Sequence, residues 1–408
     1  MDSKPAFSLQ ANRNVQRGTM RYAEVIIAGG GPIGLFLAGL LHQSGITCRV
    51  LEKKTKIDLH SKSLGIHPVS LELFRDAGIV SPFLEKGLKI RRGHAFVNRQ
   101  KAGTISFEEC PRPFNFILSL PQYKTEQILE EWVCGLNSDI LVRGAEITGF
   151  RQTEKSVITE YTKNGAVHTL ESSFLIGCDG KSSTVRKIAG IKFHGSPYPD
   201  TYIMGDFDDN TTFGAEAAVY LHRDGLVECF PLPNGKRRWV VKTATFHEEV
   251  QRDLIEKQVL ARLGHDLRET GNYMLSSFGV QHYLTETFQK KRIILAGDAA
   301  HVVSPIGGQG MNLGWLDAED LADTLAGVLR ESNESSEENR FQKLNKFSSR
   351  RNKIARQGAR RAEMNMWLGR KQSRYGIRKL LIRLMMKPPL KRLMANIFTM
   401  RGLGRWWI

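Results

Sequence analysis

The stretch from Ala23 to Glu52 constrains this chain more than any other part of it. Ala23–Ala28 is rich in β-branched residues and suits a buried strand. Gly29-Gly30-Gly31-Pro32-Ile33-Gly34 follows, then an apolar helical stretch to about Ser44, Gly45 as a stop, and a second strand at Cys48–Leu51. The whole is a βαβ unit of about thirty residues. Its turn is a GxGxxG through Gly29, Gly31 and Gly34. Gly29 allows the tight turn, Gly31 lets backbone approach a pyrophosphate, and Gly34 lets helix and strand pack closely. Pro32 and Ile33 open a helix whose free N–H groups face phosphate charge. Glu52, at the end of the second strand, can accept hydrogen bonds from ribose hydroxyls. NAD and FAD both use this arrangement, and the turn alone does not choose between them.

Val25 to Leu41 is uncharged, yet the glycines at its centre read as strand, turn and helix rather than as a membrane span. Residues 1–20 are polar and carry no apolar secretory segment, so they read as a disordered tail, and Met20 is a possible original start. The chain is 41% hydrophobic and 25% charged. It is therefore neither disordered nor fibrous. Five cysteines form no CxxC pair, which argues against a disulfide scaffold or zinc ribbon and for a reducing compartment. No metal-ligand spacing occurs among the histidines, and no metal is expected.

Further along, Gln122–Leu136 has helical spacing. Strands are predicted near 141–151, 156–162, 167–171 and 175–177, with Asn164-Gly165 as a hairpin turn. From 191 to 290 the pattern changes to an antiparallel meander. Its strands lie near 217–222, 226–231 and 237–244, turned at Asp224-Gly225 and Asn234-Gly235 and followed by helix 248–263. Arg292–Ala296 is a buried strand, 311–330 a helix, and 331–340 a polar linker.

Two later segments go further than the fingerprint. Leu175–Lys187 reads LIGCDGKSSTVRK, and Arg292–Asn312 reads RIILAGDAAHVVSPIGGQGMN. With the N-terminal turn, and in this order, they resemble the three motifs of the single-component FAD-dependent aromatic hydroxylases, the p-hydroxybenzoate hydroxylase group. The resemblance covers roughly 21–330.

It implies FAD as cofactor and NAD(P)H as a transient co-substrate, since only one dinucleotide fingerprint is present. Asp298 matches the aspartate on the ribityl chain. Gly307, Gly308, Gln309, Gly310, Met311 and Asn312 match a glycine-rich turn whose N–H groups face the flavin N1–C2=O edge, where reduction gathers negative charge. Pro305 lines the flavin face. Asp179, Gly180 and Arg186 match the second motif, which serves flavin and NAD(P)H. Gln122 matches a ribityl contact. Lys62 stands where arginine is usual, as does Ser182, and a point charge is no equivalent of a planar guanidinium.

The fold implied is α/β: a Rossmann-like FAD-binding domain, an interleaved antiparallel-sheet substrate domain and a helical C-terminus. Residues 21–86, 116–190 and 286–330 form the first, 87–115 and 191–285 the second, and 331–408 a basic helical region. The activity implied is transfer of one oxygen atom from O2 to an aromatic ring, phenolic or polyketide-like, through a flavin C4a-hydroperoxide. An epoxidase, reductase or halogenase on the same scaffold, or a non-catalytic membrane-docked flavoprotein, is the alternative. No phenol-activating base is named by the sequence. Tyr202, His222 and Tyr220 lie in the substrate domain, and His301 reads as packing beside the cofactor.

The net charge of +17 is concentrated at the end: Arg350–Ile408 holds 17 Lys/Arg against the single acid Glu363. Ile377, Leu380, Leu381, Leu384 and Met385 make one amphipathic stripe, and Leu390, Leu393, Met394, Ile397 and Phe398 a second. With Trp406 and Trp407 they suit an anionic membrane surface, or else the stripes pack on the FAD domain. No stacking module accompanies the charge, so nucleic acid is not expected. The location expected is cytoplasmic, with peripheral attachment to an inner membrane face as an option.

Overall fold

The computed structural model describes residues 22–59, 63–305, 307–330, 336–369 and 390–401. Lys62, the 1–20 tail, the 377–385 stripe and the terminal tryptophans lie outside the described residues.

Parallel strands Ile293–Leu295, Ala166–Gly177, Tyr22–Ala28, Cys48–Glu52 and Leu141–Arg143 lie side by side in that order. The chain leaves the central strand Tyr22–Ala28 towards one side and returns on the other. That is a topological switch point, where a crevice opens beyond the carboxyl ends of the strands. The sequence pattern splits 167–171 from 175–177, but Ala166–Gly177 is continuous. Its first half pairs antiparallel with Val157–Lys163 and its second half runs parallel to Tyr22–Ala28. Ser172 and Ser173 look like a break in sequence. Inside the strand the Ser172 hydroxyl is satisfied by the Phe174 carbonyl at 2.9 Å. Helices Pro32–Gln43, Gln122–Leu136 and Gln309–Arg330 cover this sheet. Gly39 has Trp132 against it so closely that a Cβ would lie 2.1 Å from the ring.

The second large sheet has the order His301–Val302, Asn272–Thr285, Phe193–Asp208, Lys236–Thr243, Gly225–Leu232, Ala217–His222, Arg92–Val97, Gln100–Ser106. The expected turns are present: Asn164, Gly165, Gly225, Asn234 and Gly235 all take positive φ, as tight hairpins require. The two longest strands here, Phe193–Asp208 and Asn272–Thr285, are absent from the sequence reading. Pro197 and Pro199 argue against a strand, and the sheet accommodates them by a register shift between Pro197 and Thr201. Helix Arg252–Leu263, shorter than the expected 248–263, covers one face of this sheet through Ile255 and Val259 on Ile203, Val227, Trp239 and Val241. The other face carries Tyr202, Met204, Leu226 and Val240 and receives Met366.

A small sheet, Gly65–Ile66, Ile117–Ser119 and Leu88–Ile90, bridges the two halves. The Ser119 hydroxyl donates to the Pro231 carbonyl at 2.6 Å. Leu88–Ile90 thus pairs here and not with the antiparallel sheet, unlike Arg92–Val97 and Gln100–Ser106 of the same expected segment.

Helix Glu337–Gly369 starts inside the expected linker and drives Leu344, Phe347 and Ala355 into the main core. In helix Leu390–Phe398 the apolar stripe is divided. Met394 and Ala395 are buried against Ile90, Ile105, Phe107, Cys110 and Ala217, while Leu390 and Leu393 remain exposed. The inner half of the stripe is therefore covered by the 90–110 segment, the antiparallel sheet and Ile117, and Phe398 comes beside His67 of the FAD-binding half. Among the described residues no helix is long and apolar enough to cross a membrane, no metal-binding cluster occurs, and the five cysteines are free.

Candidate functional site: three glycine segments at one crevice

The fingerprint turn is fixed by close approach. Gly29 has φ +101°, and a Cβ there would lie 2.5 Å from the Cys178 carbonyl oxygen. At Gly34 a Cβ would lie 2.0 Å from the Gly29 oxygen, while at Gly31 it would meet nothing within 4 Å. Gly31 therefore fronts open space at the helix N-terminus. The Gly30 N–H donates to Glu52 Oε2 at 2.6 Å and the Lys54 N–H to Oε1 at 2.8 Å. Each Glu52 oxygen keeps capacity for one more donor. Ile33 wedges between Gly297 and Gly314, and Trp315 Nε1–H donates to the Pro32 carbonyl at 3.1 Å. The first motif is thereby locked to the third.

In the second motif, Asp179 Oδ2 accepts the Val185 N–H at 3.1 Å, and its buried Oδ1 has no partner among the described residues. Gly180 turns the chain with φ +78°. Arg186 is buried and spends its donors on backbone, at 2.8 Å to Ala299 and 2.7 Å to Lys181. Its guanidinium carbon lies 3.8 Å from the Phe193 ring centroid. Its geometry ties the second motif to the third, and those bonds leave it little to offer a ligand directly.

Asp298 stands on the crevice wall, enclosed by protein yet with its side chain open to solvent. The surrounding protein raises its carboxyl, and His301 and Lys181 oppose that. Behind it lies a network that sequence reading does not reveal. Asp317 is fully buried, accepting the Gly297 N–H at 2.9 Å, His301 Nε2 at 2.6 Å and Arg351 Nε at 2.7 Å. Burial pushes the Asp317 carboxyl up, but His301 and Arg351 outweigh it and hold it below the usual carboxylate range. His301 packs by the site as expected, and it also pairs with Asp317.

The Gly307–Asn312 turn takes φ +91° at Gly307 and +65° at Gly308, and the Gly308 N–H donates to the Pro305 carbonyl at 2.9 Å. Pro305 is exposed at the rim. The helix begins at Gln309, two residues before the expected Met311. Asn312 does not present its amide to the crevice. Its oxygen accepts from the His67 N–H and the Ser70 hydroxyl, both at 2.8 Å, and its nitrogen donates to Gly65 and Gly308 carbonyls. It binds the turn to the 65–70 segment. His67 Nε2 lies 3.1 Å from the Gly307 oxygen, and burial lowers this imidazole to about 4, against carbonyls that favour its charged form. Gln309 is buried with neither amide atom partnered among the described residues. Gly310 and Met311 are half-buried, and a Cβ at Gly310 would make only an ordinary 3.6 Å contact with Val303.

Gln122 opens its helix, donating its N–H to Ser63 at 3.0 Å and its side-chain amide to Glu126 at 2.9 Å. Burial pushes the Glu126 carboxyl up, with Gln122 and Lys54 opposing. Of the three substrate-domain candidates, Tyr202 lies on the face turned from helix Arg252–Leu263 and stacks on Phe278. Tyr220 is on the opposite face against Phe96, and His222 is at a hairpin end beside Asp224. Asp317, His67 and Ser70 are the residues sequence reading misses. Asp317 is one of several acids in an apolar helix, and nothing in its spacing separates it from its solvated neighbours.

These residues fit a flavin dinucleotide: an open glycine cradle at Gly31, a braced carboxylate at Glu52, and unpartnered polar atoms at Asp179 and Gln309. A sequence profile described as FAD binding domain matches residues 22–362, and the chain belongs to that family. Among its relatives, the uncharacterized aromatic compound monooxygenase YhjG of Bacillus subtilis is 34% identical over 77% of this chain and 63% of its own length. A rifampicin monooxygenase of Streptomyces venezuelae is 34% identical over 74% of this chain and 64% of its own. The solved structure of the anhydrotetracycline hydroxylase OxyS from Streptomyces rimosus superposes with a TM-score of 0.77 at 28% identity. It covers 93% of this chain and 76% of that one. The chain thus spans less than two thirds of the length of the first two relatives.

Proposed function

We propose that this chain is an FAD-dependent, NAD(P)H-using monooxygenase that places one atom of O2 into an aromatic ring, phenolic or polyketide-like. The observation that carries the reading is convergence: Gly31, Glu52, Asp179, Asp298 and Gly307 come from segments far apart in sequence to one crevice at a sheet switch point. The names of the relatives support the substrate class.

FAD, when bound, supplies the redox and oxygen chemistry, with NAD(P)H as the electron source. The protein's share is binding, placement and dryness. The Gly31–Ile33 helix start meets the pyrophosphate, Glu52 takes ribose hydroxyls, and Asp298 takes the polyol chain. The Gly307–Gln309 turn offers backbone dipoles, held in place by Asn312 and neutral His67. The antiparallel sheet roofs the crevice with Tyr202, Met204 and Val240, which exclude water and position a flat ring.

The test is direct. Purified protein is expected to retain yellow FAD and to consume NAD(P)H faster with a phenolic substrate, and the product is expected to carry one oxygen-18 from labelled O2. Flavin without label in product would point to the reductase alternative instead. Membrane contact remains in this proposal only through Leu390, Leu393 and the basic tail. Co-sedimentation with anionic liposomes at low salt tests it.

A further inference from the structure

On the side of the antiparallel sheet turned away from helix Arg252–Leu263, two ion pairs flank an acid that has none. Arg238 Nε and Nη2 grip the two Asp206 oxygens at 2.6 and 2.8 Å, and Lys242 donates to Asp200. Between these pairs runs a row taken from five strands: Val219, Glu228, Val240, Met204 and Ser276. Strand alternation puts Glu228 on the face of Tyr202, Met204 and Val240, opposite the one covered by helix Arg252–Leu263. It is only 7% exposed, and it has neither hydrogen-bond nor ion-pair partner among the described residues. Its immediate neighbours, Val219 and Val240, offer nothing polar. Arg238 and Lys242, two residues away along the next strand, are held by their own acids, and Met366 comes down on the face from helix Glu337–Gly369.

A carboxylate so nearly buried, with no protein donor, costs free energy that packing alone does not return. We propose that Glu228 is a substrate-binding and proton-accepting residue that takes the ring hydroxyl of a phenolic substrate; this rests on the monooxygenase reading. The step is a simple proton transfer. The phenol O–H breaks, its electron pair stays on the oxygen as phenolate, and the proton forms a new O–H on the Glu228 carboxylate. A phenolate is more electron-rich at its ring carbons than the phenol, which favours attack on an electrophilic oxygen. The proton returns to the product hydroxyl before release, and the carboxylate is regenerated. Burial alone raises this carboxyl to about 7, which brings it near the operating range of a general base.

The experiment uses the FAD-loaded full chain with 1-naphthol as probe, followed by the change it causes in the flavin absorption spectrum. Glu228→Ala is expected to retain FAD and weaken 1-naphthol binding about tenfold, as for a lost hydrogen bond to a charged group. Glu228→Gln keeps the shape and an acceptor. It is expected to fold at least as stably as wild type and to bind the probe, but to lose the rise in probe-stimulated NAD(P)H oxidation that wild type shows through about pH 7. Variants with wild-type affinity and pH profile overturn the inference. A wild type that holds FAD and oxidises NAD(P)H yet binds no 1-naphthol overturns it alone. A wild type that holds no FAD overturns the monooxygenase reading, and this inference with it.

Discussion

At the carboxyl end of the first parallel strand, residues that meet in space are neighbours in sequence. Gly29, Gly31 and Gly34 fall within one turn, and Glu52 follows at the end of the next strand. Across the antiparallel sheet, a comparable row of positions on one face is gathered from five strands between Phe193 and Thr285. The first region works through backbone, so only residues without a side chain fit there. The second presents side chains, so many residues fit the fold there. Backbone sites leave a rigid imprint on sequence, and side-chain sites leave a loose one.

The sharpest break of that contrast is Gly34→Ala, whose Cβ would lie 2.0 Å from the Gly29 oxygen. Backbone on both sides cannot yield, so a loss of about 5 kcal/mol or more is expected, read as absence of folded flavoprotein on purification. Next is Asp317→Ala, which strands Arg351 and His301 in the core. Breaking one partner of a buried pair is expected to cost about 3–5 kcal/mol by urea unfolding. Asp317→Asn keeps an acceptor for the Gly297 N–H and is expected to cost less.

A third prediction concerns pH. His67 sits at about 4 in the folded chain. Its unfolded value is about 6.5. Between those values the unfolded chain binds more protons, so stability is full above the unfolded value and falls as pH drops towards the folded one. The full loss is on the order of 3 kcal/mol. Urea midpoints at neutral pH and about two units lower measure it, and His67→Gln is expected to flatten the difference. The smallest effect on folding sharpens the contrast from the other side. Gly31 has an ordinary extended backbone and open space where a Cβ would point. Gly31→Ala is therefore expected to change apo stability by about 0.5 kcal/mol at most. FAD affinity is nevertheless expected to fall, measured by flavin fluorescence on titration. Unchanged affinity would mean that the phosphate does not approach there.

The same contrast explains what the sequence could reveal. The βαβ unit, the helix Gln122–Leu136, the Asn-Gly and Asp-Gly hairpins and the crevice segments were legible because local backbone needs dictate their residues. Strand Phe193–Asp208 was not, since its two prolines speak against it and only pairing with Asn272–Thr285 overrides them. Arg186 and Asn312 were legible as members of motifs, but their roles as ties between segments needed coordinates. Glu228 and Asp317 were invisible for a shared reason. A carboxylate in a strand or helix reads as solvated until something removes the solvent.

Arg351 carries a last consequence. It belongs to helix Glu337–Gly369, yet its guanidinium neutralises the acid that braces Gly297. A nascent chain that has left the ribosome only as far as Arg330 holds every glycine of the crevice, but Asp317 there has no arginine. The brace behind Gly297 is therefore complete only when a segment translated after all the glycine motifs has taken its place.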